Sequence, residues 1–401
     1  MITLSDDQKS AFDGVLTRLE VGEKLVTLGG YAGTGKTTTT AEIAKAIKKK
    51  TKKNIAFCCF TGKAAKVLES KLARLEVMSG EDTCGTIHSL VYDSRETVRK
   101  KTENGVEKEV LTYSHHSKLD KRIVGLVICD EASMVNEEIY TELASFKVPI
   151  LAVGDHGQLP PVFGEFNLMD DPDFVLEKIH RQAENDPIIQ VATLARTRGI
   201  IPVAEYGPEC IKTNSEEIIN QIKDPREWVI ITGTNKKRTE RNRWARWKLG
   251  FHGDLPNVGE RVVCLKNSHS TGIMNGMVGT VTRLEQVEGT RRHWVWLEAQ
   301  MDSGDKYVGE VWRYQFGYPK PMQETIAEAL EVSPRDFGDL FDFGYAITCH
   351  KAQGSEWDKV IVYEEQAMRY VMMKTKGEEG WRRWLYTAIT RAKKELIIVG
   401  E

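Results

Sequence analysis

The segment that constrains this chain most is residues 30–37, which read GYAGTGKT. It matches the pattern of a phosphate-binding loop, in which glycines let backbone N–H groups turn inward around phosphate oxygens. An apolar run at 25–28 precedes it and a helix-like segment follows, which is the context such a loop needs. Lys36 would bring a full charge to the β- and γ-phosphates of a nucleotide, and Thr37 would hold Mg²⁺. The predicted phosphate contacts are Gly30, Ala32, Gly33, Thr34, Gly35, Lys36, Thr37 and Thr38.

The pattern around this loop predicts the fold class. From residue 24 to residue 153, short apolar runs alternate with helix-like segments, which is typical of a parallel sheet covered by helices. A second pattern of this kind spans 181–250 and resumes at 341–401. The sequence therefore predicts an α/β protein with one such domain at 1–180 and a second one built from the two later segments.

Two stretches interrupt the alternation. Residues 92–118 alternate charged and apolar side chains around Asn104-Gly105, a strong hairpin signal, and predict a β-hairpin inserted in the first domain. Residues 251–340 contain short strands separated by turn residues, which predict a small antiparallel barrel inserted in the second domain. A short helix flanked by prolines would lead back from the barrel to the second domain.

Composition excludes little about the partner. The 401 residues carry 56 Lys and Arg against 58 Asp and Glu, a net charge of -2, so a basic groove would have to be a local feature. The longest apolar run, 123–129, is too short for a membrane span, and residues 1–10 lack the apolar core of a secretory signal. The seven cysteines include no Cys-x-x-Cys pair and are expected to be reduced thiols in a cytoplasmic protein.

Other polar residues stand at the ends of predicted strands. Asp130 and Glu131 follow the apolar run, where Asp130 could bind Mg²⁺ and Glu131 could deprotonate the attacking water, although such a pair could also cap a helix. Gln158 follows the next strand and could sense a γ-phosphate, or form the polar tip of a turn. Arg181 and Arg391 lie in the second α/β pattern and could neutralise phosphoryl charge, although a lone arginine is more often a surface ion-pair partner.

The ordered motifs resemble those of superfamily 1 helicases, and in particular the RecD-like subgroup that includes the compact phage Dda-type enzymes. After the phosphate-binding loop come DEASM at 130–134, GDHGQLPP at 154–161, TCHKAQGSE at 348–356 and LYTAITR at 385–391. The resemblance implies two RecA-like P-loop domains with ATP between them, a hairpin that serves as a strand-separating pin, and an SH3-like barrel insertion. It also implies an ATP-dependent enzyme that translocates 5′ to 3′ on single-stranded DNA and unwinds duplex DNA.

The resemblance further assigns residue roles. Gln8 would read the adenine edge, and Gly354 and Glu356 would link the nucleotide to the strand contacts. The strand contacts that it implies are Thr61, Gly62, Lys63, Lys66, Thr86, Ile87, His88, Asn235, Lys236, Arg238, Thr348, His350 and Lys351. We expect a monomer that acts on single strands and duplex junctions, without a membrane, alongside replication or recombination proteins.

Two other functions stay open on the residues alone. The first is an RNA helicase or remodeller of the same superfamily, and the second is a strand-binding module that does not hydrolyse ATP. The hairpin departs from the family pattern, because its tip at 101–105 carries no aromatic residue to stack on a base pair. Either a steric pin suffices, or strand separation is weaker than translocation.

The segment 236–248 is strongly basic and carries Trp244 and Trp247. At a spacing of three on a helix, the two indoles are expected to face the same way. They would either pack in the core beside a solvated basic face or form a strip that stacks on bases and binds phosphates.

Overall fold

The fold is described from a computed structural model, which covers residues 4–103, 106–115, 119–161, 166–179, 185–266, 268, 271, 273, 275–318, 320–333 and 337–400. The chain divides into two compact units, residues 1–184 and 185–401. None of the described helices is both long and apolar enough to cross a membrane.

The first unit is built around a six-stranded parallel sheet. Its strands and the hairpin are β1 (Leu25–Gly30), β2 (Asn54–Cys59), β3 (Thr83–Thr86), β4 (Tyr92–Glu103), β5 (Val106–His115), β6 (Val124–Asp130), β7 (Ile150–Gly154) and β8 (Phe174–Leu176). Its helices are α1 (Asp6–Glu20), α2 (Lys36–Thr51), α3 (Gly62–Arg74), α4 (Ile87–Val91) and α5 (Glu137–Ser145). The strand order in the sheet is β3-β2-β6-β7-β1-β8, and β4 pairs with β5 as a separate antiparallel hairpin.

Both faces of this sheet are buried, which explains its apolar strands. Along β6, Leu126 and Ile128 pack on one side with α1, α2 and α3, while Val127 and Cys129 pack on the other with α4 and α5. Alternate side chains of a strand point to opposite faces, so a strand covered on both sides is apolar at almost every position.

The second unit contains a second sheet, which is parallel except at one edge. The strands of the second unit are β9 (Ala204–Gly207), β10 (Cys210–Thr213), β11 (Val229–Thr232), β12 (Arg261–Cys264), β13 (Val278–Gln286), β14 (Trp294–Met301), β15 (Lys306–Trp312), β16 (Phe341–Phe343), β17 (Ala346–Thr348), β18 (Trp357–Glu364) and β19 (Ala392–Gly400). Its helices are α6 (Pro187–Arg198), α7 (Glu217–Gln221), α8 (Asn235–Lys248), α9 (Lys320–Ala329), α10 (Cys349–Ala352) and α11 (Gln366–Ile389). The larger sheet has the order β17-β11-β18-β19-β10-β9, with only β9 antiparallel to its neighbour. The predicted α/β class with parallel sheets is confirmed.

The remaining strands form a five-stranded antiparallel sheet in the order β15-β14-β13-β12-β16. An additional bridge pairs Val311 of β15 with Asp339, which lies just before β16, so the two edges of this sheet approach each other. Apolar side chains such as Val262, Leu297 and Phe341 fill its interior.

Helix α8 is joined to this smaller sheet and to the strand that follows it by a stripe of polar contacts, spaced four residues apart. Arg238 forms an ion pair with Asp342, with the nitrogen and oxygen 2.7 Å apart. Asn242 exchanges two hydrogen bonds with the backbone of Ala346, at 2.8 and 3.2 Å. Arg246 completes the stripe in a buried network. The helix is therefore attached along its length to residues distant in the sequence.

The buried network is centred on Glu260, whose side chain is 0% exposed. Its carboxylate accepts two hydrogen bonds from Arg246, at 2.8 and 3.1 Å, and one from the Tyr345 hydroxyl at 3.2 Å. The backbone and side-chain amides of Asn257 donate to the same carboxylate. Burying a charged carboxylate costs free energy, which is offset only when the charge is paired and hydrogen-bonded in this way.

We predict that Glu260→Ala destabilises the protein by about 3–5 kcal/mol, because it leaves the Arg246 guanidinium buried without its counter-ion. The measurement is the midpoint of urea unfolding of the intact chain, followed by circular dichroism. Glu285→Ala is the matched control, since Glu285 pairs with Arg283 at an exposed site and should change stability by less than about 1 kcal/mol. Equal midpoints for the two variants would show that the network does not stabilise the fold.

Candidate nucleotide and strand-contact sites

Three neighbouring strands of the first unit bring the candidate nucleotide-binding residues together. β6 pairs with β7 and β7 pairs with β1, all parallel, so their carboxyl ends lie side by side at one edge of the sheet. The phosphate-binding loop follows β1, Glu131 follows β6, and the segment 155–158 follows β7. Ligands of parallel sheets bind at this edge, because the loops there are free of the helices that cover the faces.

The loop after β1 has the backbone of an anion cradle. Gly33 and Gly35 have φ angles of 82° and 81°, in the left-handed region that favours glycine. A Cβ atom on Gly30 would lie 2.7 Å from the Thr34 hydroxyl oxygen, so that position is also closed to larger residues. Helix α2 begins at Lys36, within the last two residues of the motif, and its first N–H groups add the positive end of the helix dipole. The cradle fits a phosphate.

Lys36 lies folded over this loop. Its Nζ donates to the carbonyl oxygens of Gly30, at 2.6 Å, and Tyr31, at 3.0 Å, and lies 4.0 Å from a carboxylate oxygen of Asp155. Asp155 is 2% exposed and also accepts a hydrogen bond from the backbone of Gly157. A phosphate would therefore compete for the lysine with two neutral carbonyl groups and with the more distant Asp155 carboxylate. The sequence did not single out Asp155, since nothing local to the motif says which side chain reaches Lys36.

The predicted Mg²⁺ ligands are a hydroxyl and a carboxylate, the hard oxygen donors that this ion prefers. Thr37 lies in the first turn of α2, and Asp130 is the last residue of β6. The Asp130 carboxylate accepts a hydrogen bond of 3.0 Å from the backbone N–H of Glu131. Glu131 itself has a φ of 54°, a conformation that costs a non-glycine residue roughly 1–3 kcal/mol and occurs at functional sites. The donor set fits Mg²⁺, and the backbone leaves the extended strand conformation at Glu131.

Gln158 lies beyond the end of β7 and is 5% exposed. Its backbone N–H donates to Asp155, but its side-chain oxygen has no hydrogen-bond partner within the described part of the chain. Leaving a buried polar atom unpaired costs about 1–3 kcal/mol, which a ligand or water bound there would recover. This favours the functional interpretation of Gln158 over a simple turn tip.

Gln8 connects α1 to the phosphate-binding loop. Its side-chain N–H donates to the carbonyl oxygen of Thr34 at 3.1 Å, and its side-chain oxygen accepts from the backbone of Ser5 at 3.0 Å. Gln8 as a whole is 3% exposed. The structure therefore gives Gln8 a role in holding the loop, and its contact with adenine stays a prediction.

Arg391 is buried in the second unit, not at its surface. The guanidinium donates to the carbonyl oxygens of Thr387 and Ser355, at 3.0 and 3.1 Å, and to the Thr390 hydroxyl at 3.1 Å. None of these acceptors is charged, and no described carboxylate forms an ion pair with it. A buried cation without a counter-ion is suited to an incoming anion. The contact with Ser355 also ties Arg391 to the predicted linking residues, Gly354 and Glu356, on either side.

The predicted strand contacts of the first unit lie at the same sheet edge as the nucleotide residues. Thr61 follows β2 and caps α3, where its hydroxyl accepts from Ala64 at 3.2 Å, and Lys66 is exposed one turn later. Thr86 ends the neighbouring strand β3, and His88 follows in α4. Gly62 begins α3 beside Thr61, but Ile87 packs in the hydrophobic core with Leu90 and Val127, which corrects the expectation that it contacts the strand. Arg181 and the side chain of Lys63 lie outside the described residues.

The second unit repeats this arrangement. β11 and β17 are parallel neighbours, and their carboxyl ends lead into α8 and α10, which carry Asn235, Lys236, His350 and Lys351. Thr348 is the last residue of β17, and Asn235 and Lys236 are exposed. Arg238 is the exception.

The placement of Arg238 corrects the expectation of a direct strand contact. Arg238 is 7% exposed and forms an ion pair with Asp342, because it lies on the face of α8 that packs against the smaller sheet. In this structure Arg238 holds the helix in place and does not reach the surface.

Glu365 is a residue that the sequence did not reveal. The residue is 2% exposed, and its carboxylate accepts from the backbone N–H of Gly233 at 2.6 Å and from the Thr234 hydroxyl at 2.6 Å. Gly233 and Thr234 form the turn that leads to Asn235. Glu365 therefore positions this turn, and only proximity in space, across 132 residues, identifies it.

Burial affects the titration of the α10 residues. Desolvation lowers the pKa of Lys351 to about 8, the nearby Arg238 charge lowers it as well, and Asp342 acts in the opposite direction. Desolvation also lowers the pKa of His350 below its ordinary value. Lys351 thus loses its charge at a mildly alkaline pH, where an ordinary lysine stays protonated.

Comparisons with known proteins agree with this arrangement. The chain matches an AAA domain over residues 15–164 and a UvrD-like helicase C-terminal domain over residues 343–399. It is 27% identical over 422 residues to the ATP-dependent RecD2 DNA helicase of Deinococcus radiodurans, covering 99% of this chain and 49% of that protein. It is 26% identical over 461 residues to the ATP-dependent DNA helicase dda of Enterobacteria phage T4, covering 99% of each. The chain thus spans about half the length of the first relative and nearly all of the second.

Solved structures share the fold. A crystal structure of Bacteroides Pif1 bound to ssDNA matches with a TM-score of 0.54 at 22% identity, over 99% of this chain and 92% of that chain. A structure of DNA unwinding at forked dsDNA by two coordinating Pif1 helicases matches with a TM-score of 0.52 at 21% identity, with the same coverage. The two family matches and the two helicase relatives confirm the resemblance to RecD-like superfamily 1 helicases seen in the motifs.

We predict that affinity for a single-stranded oligonucleotide falls about 10-fold as pH rises from about 7 to 9, the scale of one charge-assisted hydrogen bond. With a pKa of about 8, Lys351 is mostly charged at pH 7 and mostly neutral at pH 9, so the phosphate contact predicted for it would be lost as pH rises. Fluorescence anisotropy titrations across this range give the measurement. Lys351→Arg is the control, because its guanidinium stays charged and should abolish the dependence. A dependence unchanged in Lys351→Arg would assign it to another group.

Proposed function

We propose that this chain is an ATP-dependent DNA helicase that translocates on single-stranded DNA, 5′ to 3′, and unwinds duplex DNA. The observation that carries the proposal is a shared sheet edge in the first unit. There the phosphate-binding loop and the segments 61–66 and 86–88 lie at the carboxyl ends of strands of one parallel sheet. A conformational change on nucleotide binding or hydrolysis can therefore be transmitted to the strand contacts. Two relatives that match almost the entire chain bear the name ATP-dependent DNA helicase, which supports the same function.

The proposed hydrolysis uses the residues at this edge. ATP would lie on the loop amides and draw the Lys36 ammonium from the carbonyl oxygens that it contacts now. Glu131 would take a proton from a water that attacks the γ-phosphorus, while the bond to the ADP oxygen breaks and Lys36 neutralises the charge on that oxygen. Mg²⁺, held by Thr37 and Asp130, would supply further charge neutralisation. Gln158 would orient the water, and Arg391 would stabilise the transferred phosphoryl group.

The proposed movement uses strand contacts on each unit. Thr61, Lys66 and His88 would hold the strand on the first unit, and Asn235, Lys236 and Lys351 would hold it on the second. Alternating grips, driven by ATP binding and hydrolysis, would move the protein along the strand. Polarity follows from the resemblance to RecD-like enzymes and not from the chemistry of any residue.

The two additional elements have proposed roles as well. The β4-β5 hairpin would be the strand-separating pin, and the five-stranded sheet would be the counterpart of the SH3-like barrel insertion. We also propose a cytoplasmic monomer that works with replication or recombination proteins. The cysteines are free thiols, which suits a reducing compartment.

Strand displacement from 5′-tailed and 3′-tailed DNA duplexes tests the function. The wild type should displace the strand of the 5′-tailed duplex only. Glu131→Gln should bind ATP but turn over roughly 10²–10⁴-fold more slowly, because it lacks the base, and Lys36→Ala should lose ATPase activity. Glu138→Gln, an exposed acid in α5, is the control and should behave as wild type.

The outcomes separate the rival functions. Strand displacement from 3′-tailed duplexes only would show that the direction of translocation is 3′ to 5′. Stronger stimulation of ATPase activity by a matched RNA strand would favour an RNA helicase, since recognition would then use the 2′-OH. Strand binding without any ATPase activity in the wild type would favour a non-hydrolysing module. Wild-type turnover in Glu131→Gln would remove Glu131 as the base.

The hairpin is tested by deleting residues 96–112, most of β4 and β5. Single-strand-stimulated ATPase activity should stay at the wild-type level, because none of the nucleotide residues lies in the hairpin. Strand displacement should be lost, because nothing would part the duplex. The two activities are measured on the same preparation, and unwinding that persists after the deletion would show that the hairpin is not the pin.

A further inference from the structure

Helix α8 has an exposed stripe opposite the face that packs against the smaller sheet. Lys236, Glu240, Arg243 and Trp247 are exposed and follow one another at spacings of four, three and four residues, which places them on one side of the helix. The sequence predicted that the two tryptophans face the same way, and this prediction is wrong. Trp244 packs against the core, whereas Trp247 is 68% exposed.

The charges on this stripe are basic in effect. Glu240 is already engaged by Arg241, at 2.6 Å, and by Lys237, at 3.6 Å. Lys236 and Arg243 form no ion pair with a described carboxylate. The stripe therefore presents two cations and an exposed indole, the combination that binds single-stranded nucleic acid by phosphate contacts and base stacking. A protein-binding surface would be expected to be poor in lysine.

The stripe starts at the proposed strand contact. Lys236 lies next to Asn235 and to the turn that Glu365 positions. From Lys236 to Trp247 the helix rises about 16 Å, which spans about five stacked nucleotides. A strand that leaves the contact at the start of α8 can thus follow the helix to Trp247.

We propose that the exposed stripe of α8 is a second single-stranded DNA site, in which Arg243 binds a phosphate and Trp247 stacks on a base beyond the contact at Asn235 and Lys236. This site rests on the proposed function and extends it. It makes the binding footprint longer than the motifs alone imply, and it predicts that the added affinity appears only with longer strands.

The test compares two oligonucleotides by fluorescence anisotropy. One is the shortest strand that fully stimulates the ATPase activity of the wild type, and the other is five nucleotides longer. Trp247→Ala should bind the longer strand about 5-fold more weakly and the shorter one like wild type, and Trp247→Phe should retain most of the affinity. Arg243→Ala should reduce the slope of log affinity against log salt concentration by about one released ion, and only for the longer strand.

Val258→Ala is the matched control, since Val258 is an exposed apolar residue of the same unit, 61% exposed and off the stripe. It should bind both strands like wild type. Wild-type binding of the longer strand by Trp247→Ala and Arg243→Ala would overturn the second site, and so would an equal loss at both lengths. Either result leaves the helicase function standing if the shorter strand still stimulates wild-type ATPase activity. An unstimulated wild type would overturn that function instead.

Discussion

The parallel pairing of β1, β6 and β7 is the constraint on which the rest of the structure depends. It places the carboxyl ends of three strands side by side, and thereby concentrates the charges of Lys36, Asp130 and Asp155 at one edge. Such a concentration is stable only when opposite charges and backbone dipoles balance it. Carbonyl groups of the loop accept from Lys36, which also lies near Asp155, and the N–H groups of Glu131 and Gly157 donate to the two carboxylates.

The second unit uses the same principle with different chemistry. β11 and β17 end beside each other, and their loops carry cationic and amide side chains in place of a phosphate cradle. Helix α8 is fixed to the strands around it by Arg238, Asn242 and Arg246, which bind acids and backbone groups of the 260–346 region. The five-stranded sheet is thus attached to the residues that are proposed to hold the strand through this helix and through β16, which is followed directly by β17 and Thr348.

Local motifs revealed most of the candidate site, and their limits have a physical cause. Lys36 and Thr37 could be assigned because the loop, its strand and its helix are contiguous in the chain. Arg238 was expected at the surface because its motif position says nothing about Asp342, its partner 104 residues away. Trp244 and Trp247 were expected to face alike, but a difference of three residues is about 60° around a helix, enough to place one in the core and one in solvent.

The sequence by itself determined the nucleotide loop, the class of the fold and the order of the strand-contact motifs, because backbone geometry and the alternation of side chains depend on residues that are neighbours in the chain. Only the tertiary structure decided which charged side chains are buried and which are free to bind. Asp155 reaches Lys36, Glu365 reaches the turn before Asn235, and Arg391 is enclosed among neutral acceptors. Each of these placements depends on segments that are distant in the chain and adjacent only after the sheets have formed. No local pattern encodes such contacts, since the free energy that fixes them comes from packing.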